Sequence, residues 1–118
     1  MQYDEIKSLL LSIDDPVLKL ETLMDIGKTL APIPEGKTGT EVKGCASRVE
    51  IYKGEDGQLY GTADSALVRG IIAILLAMKA ANAGGVRDPF SEFPTLGLNL
   101  GAARLTGAAA VIEYLKNL

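Results

Sequence analysis

Apolar residues recur at helical spacing through residues 3–13, where Ile6, Leu9, Leu10 and Ile13 punctuate YDEIKSLLLSI. A break at Asp14-Asp15-Pro16 follows, with Asp15 placed to cap a second helix and Pro16 suited to its first position. That helix is expected to turn Val17, Leu20, Met24 and Leu30 inward and to end before Pro32. Residues 31–39, APIPEGKTG, read as a loop. The period then changes from helical to alternating. TEVK (40–43) suits a short strand, and SRVEIYK (47–53) sets Val49 and Ile51 against Arg48, Glu50 and Tyr52. GEDG (54–57) supplies a turn, and QLYGT (58–62) returns as the partner strand.

The pattern becomes helical again where Asp64 or Ser65 can cap an apolar segment running to about Ala83. Gly70 inside that helix costs about 1 kcal/mol relative to Ala, which close approach of another backbone would justify. GGVRDPFSEFP (84–94) reads as a loop with one short turn. A last helix over about 101–117 is expected to bury Leu105, Ala109, Ile112 and Leu115. These elements predict one α+β domain spanning residues 1–118, with a small antiparallel three-stranded sheet packed on helices.

Composition narrows the function. A chain of 118 residues suffices for one core, which must be mainly aliphatic because there is no Trp and there are only two Phe and four Tyr. A net charge of -3 and the lack of a basic stripe argue against nucleic acid. The longest apolar run, GIIAILLAM (70–78), lies between Arg69 and Lys79 and falls short of the roughly 20 residues of a membrane span. A buried helix and a cytoplasmic protein without membrane contact are therefore expected. With no His and one Cys, the chain cannot build a Ser-His or Cys-His dyad, an internal disulfide or a cysteine–histidine zinc site.

Two apparent motifs fail on context. GKT (36–38) ends like a phosphate loop, but Ala31 stands where that pattern needs Gly, and a helix rather than a strand precedes it. The glycines at 97, 101 and 107 do not have dinucleotide-binding spacing.

Cys45 is the remaining chemical candidate. A free cysteine is most often a small buried hydrophobe. This one follows Gly44 on a predicted loop, with Lys43 and Arg48 close in sequence, and cationic neighbours favour the thiolate. A thiolate lacking its own base suits attack on an already activated sulfur, because thiol–persulfide exchange follows the logic of thiol–disulfide exchange. Sulfur transfer therefore fits this segment better than ester or peptide hydrolysis.

Three blocks, GCASRV (44–49), ADSALVRGIIAILL (63–76) and LGLNLGAARLTG (96–107), resemble the signatures of the SufE family and stand in that family's order. The chain departs from the family pattern at Glu50, where Trp is usual, and at Asn99, where His is familiar. The resemblance implies a SufE/IscU-like single domain that accepts persulfide sulfur from a SufS-like, PLP-dependent cysteine desulfurase. It also implies stimulation of that enzyme and delivery of sulfur to an Fe–S scaffold. Such a protein is a sulfur-transfer accessory rather than a stand-alone enzyme, with no cofactor of its own, since the PLP belongs to the desulfurase. By the same resemblance Cys45 is the persulfide acceptor, Asp64 supports the loop or caps the helix, and Arg104 contacts the partner or the loop. Cys45 is then expected on a mobile loop above an apolar hollow, tucked in at rest and swung out on docking. A noncovalent regulatory module with an unreactive, buried Cys45 is the alternative, and a redox-switch thiol a third.

Overall fold

The computed structural model describes residues 1–45, 47–81 and 88–118. Helix α1 (Tyr3–Leu11) and helix α2 (Pro16–Gly27) are separated by the expected break. Asp15 caps α2 by accepting from the Val17 and Leu18 N–H groups at 2.9 and 3.5 Å, with Pro16 beginning the helix. Strands β1 (Thr40–Glu41), β2 (Val49–Lys53) and β3 (Leu59–Ala63) form an antiparallel sheet in that order. Helix α3 (Ala66–Ala81), a 3-10 turn (Phe93–Leu96) and helix α4 (Ala102–Lys116) complete the α+β domain. The predicted extension of α3 to Ala83, and residues 84–87 of the predicted loop, lie outside the described residues.

The sheet alternates as its sequence requires. Val49 pairs with Ala63 and Ile51 with Gly61, and all four are buried on the face toward α3. The opposite face carries the Tyr52–Tyr60 ring pair and the Arg48–Glu50 ion pair at 3.0 Å. Along α3, residues 70–76 and Met78 are all buried, so the apolar run forms the core's central rod. Its last turn is tied to α4 through Lys79, whose Nζ donates to the Leu115 carbonyl at 2.9 Å.

Helices α2 and α3 cross at two glycines. A Cβ added to Gly70 would collide with the Leu23 carbonyl oxygen, and one added to Gly27 would lie 2.7 Å from the Gly70 nitrogen. Close backbone approach is thus the reason for Gly70. The crossing also selects which face of α2 is buried. Leu23, Ile26 and Gly27 are inside, whereas Val17 is 64% exposed and Leu20, Met24 and Leu30 are only partly covered. In α1 the buried pair is Ile6 and Leu10, with Leu9 left exposed. Helix α4 likewise departs from expectation: Ala108, Val111 and Leu115 are buried, while Leu105 and Ala109 are exposed. Its sequence is apolar nearly all round, so periodicity alone does not select a face.

Candidate functional site around Cys45

The β1–β2 connection is pinned at its base by the Val42 N–H, which donates to the Val49 carbonyl at 2.9 Å. Beyond this pin Gly44 adopts φ +93°, a backbone region that L-residues rarely enter. A Cβ there would also approach the Ala110 Cβ to 3.2 Å. The turn thereby lays Cys45 against the flank of α4, half-buried, with its Sγ donating a long hydrogen bond to the Gly107 carbonyl at 3.5 Å.

Cys45 borders a hollow of about 410 Å³. Val68 and Ile72 of α3, Leu100, and Val111 of α4 give it apolar walls, and Arg104 stands at its edge. A larger hollow of about 730 Å³ lies elsewhere, between Leu30, Lys53, Phe90 and Lys116, and has no thiol on its wall. Chemistry therefore favours the smaller one. No group of three or more potential metal-binding Cys, Asp or Glu residues occurs among the described residues.

The charges around Cys45 differ from the expectation. Lys43 Nζ sits 3.3 Å from Glu41 Oε1, and Arg48 is held by Glu50 on the outer face of the sheet. Neither cation acts on the sulfur as a thiolate partner. Burial instead pushes the Cys45 thiol above its ordinary value, favouring the protonated form. Nearness in sequence misled here because each of these two cations has a carboxylate two residues away that it reaches first.

The other two predicted site residues separate. Arg104 is an exposed residue at the hollow's edge, and its Nη1 donates to the Leu100 carbonyl at 3.4 Å. Of the two candidate caps of α3, Ser65 makes the bond: its Oγ accepts from the Val68 N–H at 3.4 Å, as suits the residue immediately before the first helical turn. Asp64 is exposed, and its own N–H donates to the Arg48 carbonyl at 3.3 Å, tying the end of the Cys45 loop to the start of α3. Sequence reading gave Gly107 no role at the site, although an interior helical glycine in a good helical context was a usable signal.

All three quoted sequence blocks meet at this hollow: Cys45 and Ser47 from the first, Ser65 and Val68 from the second, Leu100, Arg104 and Gly107 from the third. Consistently, residues 4–118 match the family model SufE, described as an Fe-S metabolism associated domain. The chain belongs to the SufE family. An uncharacterized SufE-like protein of Rhizobium etli is 29% identical over 127 residues, covering 96% of this chain and 86% of that one. A hypothetical protein from Thermus thermophilus, solved in solution, shares the fold with a TM-score of 0.65 at 18% identity, covering 98% of this chain and 90% of that one. This SufE-family member is thus associated with Fe–S metabolism. Among its described residues no helix is long and apolar enough to cross a membrane.

Proposed function

We propose that Cys45 is a persulfide acceptor serving a PLP-dependent cysteine desulfurase of the SufS type. The observation that carries this reading is the meeting of three separated sequence blocks around one half-buried thiol beside an apolar hollow. In the transfer step the Cys45 thiolate attacks the terminal sulfur of the desulfurase cysteine persulfide. The donor S–S bond breaks, a new S–S bond forms on Cys45, and the donor cysteine leaves as a thiolate. No electron is gained or lost overall. The proton of Cys45 must leave first, to water or to a donor-side base.

The raised pKa supplies the logic of control. A buried, protonated thiol reacts slowly with oxidants and stray electrophiles. Contact with the desulfurase moves the loop outward, restores solvation and lowers the pKa, so nucleophilicity appears when the donor is present. Apolar walls then shelter the loaded sulfur until an Fe–S scaffold protein removes it. Removing product sulfur also accounts for stimulation of the desulfurase, whose persulfide must be cleared before the next turnover. On this reading the protein works in the cytoplasm beside its donor. Arg104, exposed at the hollow's edge, contacts the donor surface, and Asp64 serves as backbone tether of the loop.

Incubation with a SufS-type desulfurase and free cysteine should add one sulfur to the parent protein, seen by intact mass. Cys45→Ser should take up none and should lose stimulation of sulfide release. Stimulation by Cys45→Ser equal to the parent's would sink the covalent reading and favour a noncovalent regulator.

A further inference from the structure

Gly107 is the sixth residue of a 15-residue helix, where glycine costs about 1 kcal/mol relative to alanine. Its backbone offers no reason for that cost, since it is absent from the positive-φ glycines. The direction of its missing side chain is informative. A Cβ there would point at Cys45, lying 3.7 Å from Sγ and 3.8 Å from both Cα and Cβ of that residue. Those are ordinary contact distances, so alanine would fit beside the free thiol. The resting state therefore does not require glycine.

A persulfide extends Sγ by a second sulfur about 2.05 Å away, and that atom needs its own contact shell. Within the hollow it can point toward the open mouth or into the notch between α4 and the Cys45 backbone. Turned into the notch, it would lie between Sγ and the place of a Cβ at residue 107, which stands 3.7 Å from Sγ, so glycine leaves room that alanine would take. Sγ carries no proton once loaded, so its bond to the Gly107 carbonyl is lost and no longer holds the group. Building on the acceptor reading above, we infer that Gly107 is the positioning residue for the Cys45 persulfide, its missing side chain being the berth of the terminal sulfur.

The test loads parent and Gly107→Ala with inorganic polysulfide, in which the Cys45 thiolate displaces a shortened polysulfide from an S–S bond, and thus needs no desulfurase. After removal of excess reagent, intact mass follows loss of the added sulfur to dithiothreitol. Free-thiol alkylation by iodoacetamide and thermal melting are measured on the same samples. The expected result is unchanged alkylation of the free thiol and a higher melting temperature for Gly107→Ala. Its persulfide half-life should nevertheless fall about fivefold, equivalent to ~1 kcal/mol of lost protection. Equal persulfide half-lives in the two proteins overturn the assignment, as does a parent Cys45 that alkylates readily but never retains polysulfide sulfur. If polysulfide loading and the half-life difference hold while no desulfurase delivers sulfur, Gly107 keeps its role and the donor assignment alone falls.

Discussion

Two helical glycines in this molecule look alike in sequence and differ in physical role. At Gly70 a side chain would strike the backbone of α2 at the Leu23 carbonyl. At Gly107 the three atoms nearest the added carbon all belong to Cys45, at 3.7 Å or more. The first glycine is demanded by the resting fold. The second leaves room the resting fold does not use. A packed helix crossing and the flank of a half-buried thiol thus impose different constraints on the same residue type, and the sign of a stability change separates them.

The largest effect is expected at the crossing. Gly70→Ala must push α2 away from α3, and overpacking against backbone should destabilise the fold by about 3 kcal/mol, read from urea unfolding. A neutral result would mean that the two helices separate easily, and the contrast would lose its first half. Gly107→Ala should shift stability the other way, by up to about 1 kcal/mol in favour of the variant. Destabilisation there would show that the α4 flank is as tightly filled as the crossing.

The pH dependence of Cys45 sharpens the second half. Burial raises its pKa, so the folded protein holds the thiol proton more tightly than the unfolded chain. Iodoacetamide alkylation should rise with pH along a curve displaced upward from the usual midpoint of about 8.5, and urea-unfolded protein should return to that midpoint. An undisplaced curve in the folded protein would mean that the thiol is already solvated and needs no loop movement.

The smallest effect belongs to the far end of α4. Asp88 accepts from the Phe90 N–H at 2.9 Å and lies 3.3 Å from Lys116, and these partners hold its carboxyl below the usual range. A depressed folded pKa stabilises above the unfolded value and loses that contribution as pH falls through the folded one. The melting temperature of Asp88→Ala should therefore lie slightly below the parent's at pH 7, and the gap should close on acidification. Alkylation of Cys45 should not change, because this contact is remote from the thiol; if it does change, α4 couples its two ends.

Much of the fold was legible in the chain because its signals are local. Asp15-Pro16 announces a helix start through groups that bond within three residues, and the alternation of Val49 and Ile51 fixes the buried face of a strand whose period is two. Helical faces were harder to read. Val17 and Leu105 carry apolar side chains at acceptable spacing, yet both are exposed, because the α2–α3 crossing and the apolar circumference of α4 leave the choice to neighbouring elements. At the site, the thiol, its preceding glycine and the three blocks were readable. The pairing of Lys43 and Arg48 with Glu41 and Glu50 was not, since Coulomb and hydrogen-bond partners depend on side-chain direction rather than on proximity in sequence.

By itself the sequence determined the α+β order of elements, the apolar central helix and the one thiol of the chain, since these follow from periodicity and from side-chain chemistry. Tertiary structure alone decided that Cys45 rests half-buried against Gly107, that Ser65 caps α3, and that Gly70 is a packing requirement. The reason is physical: solvation, contact distance and backbone approach belong to groups far apart in the chain, and their values exist only once the core has brought them together.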